Sequence, residues 1–455
     1  MAETKSVLST MDSLKTSKFH VTVTFLAAMG VFLDGYDISI ISVAFLFIIP
    51  QFHPTAYEIG LIGAATSLGM LFGTLIFGYM ADKFGRRIMF LWDLIFFVVF
   101  ALLSAIAQNT TQLIIFRFLL GIGLGADYAL STTIVAEFSP VKTRGKLLAG
   151  NVLGWWVGAL AAFATGLALL PLGPVSWRYM IALGVVPAIA VIAGRRWLPE
   201  SPRWLIAHGK ADKAAEVMQK LTGTSFTASQ VEAAYKPATT SKVPVSELFS
   251  KKLIRYTIFV WGFWFAFDFV FYGIGIFTPS LLLAMGLKGI TAAAQGSLAL
   301  SAIYLLGGIV SLAFIDSLGR KAVTWVGFLI GSLALLGLAL SYPPSTVLLL
   351  TLFPLYAFFL IFGPGTTDFI YSVELFPTSV RSTGQATGTA ISRVGAVISI
   401  FFFPTLLALW GITKSLEFFA AVGLAGFLLT IFLGVETKKR TLEEVSKEQT
   451  PAQKS

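Results

Sequence analysis

Six carboxylates and two guanidinium groups stand inside long apolar runs of this chain. Asp34 and Asp37 lie three apart, on one face of a helical run. Arg117 and Asp127 share another run. In a third, Trp264, Asp268 and Tyr272 follow at i, i+4 and i+8, which puts an aromatic wall, an ionisable group and a phenol on one stripe. Arg393 is the second internal arginine, and Asp93 and Asp368 stand closer to helix ends or breaks. A charge at mid-bilayer costs at least about 2.5–3.5 kcal/mol, so such residues face a water-filled cavity or a partner. A carboxylate at a wet site can bind a proton at low cost, and protonation removes the charge that resists closure. Arg393 can balance Asp268, bind an anionic solute, or alternate between them.

The elements that must position these residues follow from composition. Of 455 residues, 56% are hydrophobic and 12% charged, against roughly 45–50% and about 25% in soluble domains. That excludes a disordered chain and an ordinary soluble one. The absence of Cys excludes disulfides, thiolate metal sites and cysteine nucleophiles. A bilayer-crossing helix needs about 20 apolar residues. Twelve such segments are predicted, over 20–50, 57–80, 88–107, 111–138, 146–171, 177–197, 254–285, 291–315, 322–341, 346–373, 383–409 and 412–434. Gly363-Pro364-Gly365 should break or kink the tenth. The first segment is too long for a signal-peptide core, so no cleavage is expected. Most of the 33 Lys and Arg fall on one side of this arrangement, with Arg178, Lys288 and Lys414 near the other. The expectation is a multi-pass protein of the plasma membrane with cytoplasmic N- and C-termini. The net charge of +10 is thereby an orientation signal, with no nucleic-acid partner implied.

The two halves repeat. Asp82-Lys83-Phe84-Gly85-Arg86-Arg87 is matched by Asp316-Ser317-Leu318-Gly319-Arg320-Lys321. Glu137, Pro140 and Arg144 share the spacing of Glu374, Pro377 and Arg381, and Glu200 that of Glu436. Asp34 and Asp268 are related by the same offset as the loop motifs. The predicted fold is an all-α membrane protein of twelve transmembrane helices, in two six-helix halves related by pseudo-two-fold symmetry. The halves are expected at 1–197 and 254–434, with a cytoplasmic linker at 198–253 and a tail at 435–455. Within the linker, 201–223 reads as an amphipathic helix from Ala214, Val217, Met218 and Leu221. Such two-half architectures carry the solute near mid-membrane between the halves. Asp82, Arg86, Arg87, Glu137, Arg144, Asp316, Arg320, Glu374 and Arg381 fall at cytoplasmic helix ends, where opposite charges can latch the halves and act in gating.

On these motifs the chain resembles the major facilitator superfamily over nearly its whole length. Gly78 through Arg87 is similar to that family's Gly-x-x-x-Asp-x-x-Gly-Arg-Arg loop, and Arg117 through Gly121 to its fourth-span Arg-x-x-x-Gly. Pro199-Glu200-Ser201-Pro202-Arg203 and Glu436-Thr437-Lys438 resemble sugar-porter signatures. Leu33-Asp34-Gly35-Tyr36-Asp37 looks like the first-span motif of proton-coupled phosphate symporters and equally of aromatic-acid symporters. Gly125 through Ser131 is similar to the phosphate family's Gly-Gly-Asp-Tyr-Pro-Leu-Ser. The resemblance implies a proton path at Asp34 and Asp127, with Asp37 assisting. It implies a substrate site lined by Tyr128, Trp264, Asp268 and Tyr272, with Arg393 in place of a lysine. Two positions depart from the phosphate pattern: Trp155 replaces a Gln, and Gly365 an Asn. An oxyanion site needs such polar donors, so a more apolar pocket lined in part by Trp155 shifts weight toward a small organic acid.

The function expected is proton-coupled symport of a small anionic solute, phosphate or a small organic acid, by alternating access. The alternatives are a proton symporter of sugar or another neutral solute and, in another class, a non-transporting membrane sensor or a channel. No phosphate loop of the Gly-x-x-x-x-Gly-Lys-Ser/Thr type and no His-Glu-x-x-His occurs, and the three His are scattered. Neither enzymatic residues, metal nor cofactor is expected. The partners expected are solute, protons and the lipid bilayer, with the protein a monomer.

Overall fold

The computed structural model describes residues 14–140, 142–234, 245–377 and 380–438, excepting the side chains of 128, 129, 149, 232–234 and 382. The described residues are almost wholly helical and contain no strand. Among the described residues, ten continuous helical stretches are long and apolar enough to cross a membrane. Two of them, Arg144–Arg195 and Thr383–Leu433, run to 52 and 51 residues. Each is broken by a glycine at positive φ, Gly173 at +68° and Gly411 at +75°. Only glycine adopts such angles without strain. Each long stretch is therefore two spans, and the ten stretches are twelve.

Span one is Lys18–Phe52, span two Ala56–Phe84, span three Arg86–Ala105, span four Thr110–Phe138 and span five Arg144–Leu169. Span six is built from Ser176–Leu183 and Val185–Arg195. Span seven, Ile254–Gly275, continues as a short helix, Thr278–Ala284. Span eight is Ile290–Leu318 and span nine Arg320–Leu340. Span ten is divided at Gly363 into Thr346–Phe362 and Pro364–Glu374, the break that Gly363-Pro364-Gly365 predicts. Spans eleven and twelve are the two arms of Arg381–Leu433.

The linker differs from the expectation of one amphipathic helix over 201–223. It forms Pro202–Ala207 and Ala211–Thr222, parted at Gly209, whose φ is +67°. The apolar face still closes a small core: Trp204, Leu205, Ile206, Ala214, Met218 and Val231 are buried together, with Val217 and Leu221 partly buried against them.

The chain divides into two compact units. Unit 1 comprises Met1–Ala44 and Ala65–Thr239, and unit 2 comprises Phe45–Ala64 and Thr240–Ser455. Small residues allow their helices to touch backbone to backbone. In unit 1 a Cβ at Gly154 or Gly158 of span five would overlap the Ala28 or Phe32 carbonyl of span one. Gly121 and Gly125 of span four stand likewise against Thr66 and Met70 of span two. Apolar lipid gives helices little hydrophobic reason to associate, so such close packing drives association.

Candidate functional site

The charged groups inside unit 1 form two enclosed clusters. Asp37 of span one meets Arg117 of span four: Nη2 is 3.0 Å from Oδ2, and both side chains are almost wholly buried. The Thr66 hydroxyl of span two donates to the same carboxylate at 3.4 Å. Asp34, on the same face of span one, is fully buried. A buried pair of this kind loses much of its Coulomb gain to desolvation, while removing one partner is strongly unfavourable.

The second cluster was only half visible in the sequence. Asp127 of span four pairs with Arg195, and Asp93 of span three lies 3.5 Å from the same guanidinium. All three are inaccessible to solvent. Arg195 also donates to the carbonyls of Phe90 (2.9 Å) and Leu26 (3.2 Å) and lies over the Phe90 ring. Ser131 donates to Asp127 at 3.1 Å. Gly30 of span one admits the cluster, because a Cβ there would overlap both Asp127 and Arg195. This corrects one reading and adds a residue: Asp93 is not an end-of-helix residue but fully enclosed, and its cation, Arg195, is an internal arginine beside the two that the sequence singles out. Near the end of an apolar run an arginine reads as interfacial. The signal that could have found it is the charge imbalance of six internal carboxylates against two internal arginines.

Unit 2 assembles a different group. Trp264, Asp268 and Tyr272 of span seven are buried along one stripe. Arg393 of span eleven donates to the Tyr272 hydroxyl at 2.8 Å and lies 3.5 Å from Asp268, with its side chain 16% exposed. The Phe369 ring of span ten meets Trp264 edge-on at 5.0 Å. Gly365 is where the chain must pass the Phe267 ring, which would stand 2.8 Å from a Cβ. Unit 2 thus brings together Trp264, Asp268, Tyr272 and Arg393. Trp155, in unit 1, sets its carbonyl against Gly35 and its ring edge-on to Trp156 at 4.8 Å. The Tyr128 side chain lies outside the described residues.

The loop motifs form one clasp in each unit. Gly85 and Gly319 precede spans three and nine with φ of 113° and 96°. Glu200 accepts the Arg86 N–H at 3.0 Å and the Arg87 N–H at 3.2 Å. Glu436 accepts those of Arg320 and Lys321 at 2.9 and 3.1 Å. A carboxylate on the first N–H groups of a helix is favoured by their open valences and by the helix dipole. Arg86 pairs with Asp82 and lies 3.6 Å from Glu137; Arg320 pairs with Asp316 and lies 3.3 Å from Glu374. Arg87 and Lys321 donate to the carbonyls of Arg196 and Ile431. Arg144 and Arg381 donate to those of Ser139 and Phe376. Each of these contacts closes within its own unit, so the groups read as a latch between halves are also the internal ties of each half.

A sequence profile described as "Sugar (and other) transporter" matches residues 23–448. The chain is 31% identical over 432 residues to the inner membrane metabolite transport protein YgcS of Escherichia coli strain K12, covering 94% of each. It is 30% identical to inorganic phosphate transporter 1-11 of Oryza sativa subsp. japonica, over 97% of this chain and 90% of that one. Among solved structures, the xylose transporter XylE of E. coli in an inward-open conformation superposes with a TM-score of 0.76 at 22% identity, over 94% of this chain and 99% of that one, a likeness of fold. These relatives are transporters, not enzymes. With twelve membrane-crossing helices, paired repeats and a family match over nearly its full length, the chain belongs to the sugar (and other) transporter family of the major facilitator superfamily.

Proposed function

We propose that the protein is a proton-coupled symporter of a small organic acid, working by alternating access in the plasma membrane with both termini cytoplasmic. The observation that carries this reading is the group in unit 2: a guanidinium held by a phenol and a carboxylate beside aromatic rings. Arg393 can exchange Asp268 for the acid group of a solute, while Trp264 and Phe369 cover its apolar body. The apolar surroundings, with Phe267 beside Gly365, favour an organic acid over phosphate. In this reading the enclosed carboxylates of unit 1, Asp34, Asp37 and Asp127, serve the proton, and the clasps around Gly85 and Gly319 serve gating.

The test is transport by purified protein in liposomes, with phosphate, aliphatic and aromatic carboxylates and xylose as solutes. A carboxylate is expected to accumulate under an inward proton gradient. Asp34→Asn should abolish that accumulation and spare solute exchange. Full active uptake by the variant would sink the assignment of Asp34. Accumulation of xylose but of no acid would replace the organic-acid reading with the sugar one.

A further inference from the structure

The clasp of unit 2 holds a group that the clasp of unit 1 lacks. Tyr371 lies in the second arm of span ten, one turn before Glu374 and so on the same side of that helix. Its ring is inaccessible to solvent, met edge-on by Phe259 at 4.9 Å and Phe263 at 5.6 Å, both of span seven. Its hydroxyl is buried and, among the described residues, meets no hydrogen-bond partner. The Thr324 hydroxyl is close by. It is already shared between the Arg320 carbonyl at 2.8 Å and the Thr367 hydroxyl at 2.7 Å. In the first repeat, the position three residues before Glu137 is Ile134, buried and apolar. The second repeat therefore carries an unbonded polar atom where the first shows that a hydrocarbon suffices.

That atom becomes useful when the clasp opens. In the closed clasp Glu374 is held by Arg320 at 3.3 Å and by the Thr437 hydroxyl. Helical side chains lean toward the N-terminus, so the Glu374 carboxylate leans toward Tyr371. When Arg320 leaves, a part-buried carboxylate loses its cation, which is unfavourable unless another donor takes over. We propose that the Tyr371 hydroxyl is that donor, so that Glu374 has two partners, Arg320 in the closed clasp and Tyr371 in the open one. Ile134 gives unit 1 no such second partner, and its clasp opens less readily. The proposal rests on the gating reading of the clasps and makes that of unit 2 the first to open.

The test is amide hydrogen exchange of the purified full chain, read by mass spectrometry on peptides that carry Arg320 and Lys321 or Arg86 and Arg87. These N–H groups are bonded to Glu436 and Glu200 and exchange when a clasp opens, with no solute needed. In the wild type the unit 2 amides should exchange at least threefold faster than those of unit 1. Tyr371→Phe should slow the unit 2 amides at least threefold and leave those of unit 1 unchanged. The melting temperature should stay or rise, because the lost hydroxyl was unbonded. In a Glu374→Gln background, which leaves no charge to satisfy, the same change should alter exchange less than twofold. A smaller slowing in Tyr371→Phe, or an equal slowing in both units, overturns the proposal. So does a lowered melting temperature, which would show the hydroxyl already bonded in the closed clasp, or an effect that persists with Glu374→Gln. Wild-type clasps that exchange at one rate overturn it without any variant. Failure of the gating reading shows separately, as transport untouched by Glu374→Gln in the liposome assay above.

Discussion

Unit 1 and unit 2 each carry acidic and basic groups among apolar helices, but they treat them differently. In unit 1, Asp37 with Arg117 and Asp93 and Asp127 with Arg195 are sealed from solvent. In unit 2, Arg393 retains accessible surface, its partners include a neutral phenol, and aromatic rings stand alongside. Sealed pairs hold charge in fixed positions where a single proton alters the balance. A partly open guanidinium beside rings can exchange partners. Internal pseudo-symmetry preserves the frame, as the two clasps demonstrate, while the charged groups within the frame have diverged.

Substitutions test that contrast. The largest effect is expected from Arg195→Leu, which strips two buried carboxylates of their cation. Thermal or denaturant unfolding in detergent should register a loss of about 3–5 kcal/mol, and wild-type stability would show that the cluster is not held by its charges. Arg393→Ala should cost less stability than Arg195→Leu, because the Arg393 side chain is 16% exposed and only one carboxylate loses its cation, and should weaken binding of a carboxylate solute by about 1.5–3 kcal/mol, the value of a charged hydrogen bond. Unchanged affinity in a direct binding measurement would remove Arg393 from the site. Gly85→Ala and Gly319→Ala should each cost about 1–3 kcal/mol, because both need a glycine-only backbone and both have a glutamate where the new methyl would go. Unequal losses in paired melts would show that the two clasps are alike in geometry only. Smallest of all, Asp82→Asn should change stability by less than about 1 kcal/mol, since this side chain is 70% exposed. Its effect on transport rate, measured in the same proteoliposomes, then reports gating separately from folding.

Much of the frame was legible in the sequence because bilayer geometry leaves few choices. Apolar runs of span length predict the twelve helices, and the repeat offsets pair the loop motifs, but that each set closes within its own unit on Glu200 or Glu436 is seen only in the structure. The stripe Trp264, Asp268 and Tyr272 was legible because three residues of one helix need only the helical period. Pairings between helices were not. The face carrying Asp34 and Asp37 follows from periodicity, but nothing local assigns Arg117 to Asp37 across 80 residues. Arg195 was hidden by its neighbour Arg196, since two adjacent arginines near a span end differ only in which side of the helix they occupy. The break at Gly209 was missed because the apolar period of 201–223 continues across it.

The glutamate at the end of each repeat has a consequence for the order of synthesis. Glu200 follows span six, yet its carboxylate closes the turn that begins span three. The last residues of the first repeat thus tie down its early helices, as Glu436 does for the second. Once residue 200 has left the ribosome, the first unit's clasp has every one of its parts, before span seven is translated. Duplication of such a segment copies the tie with it and leaves the interior of each copy free to change.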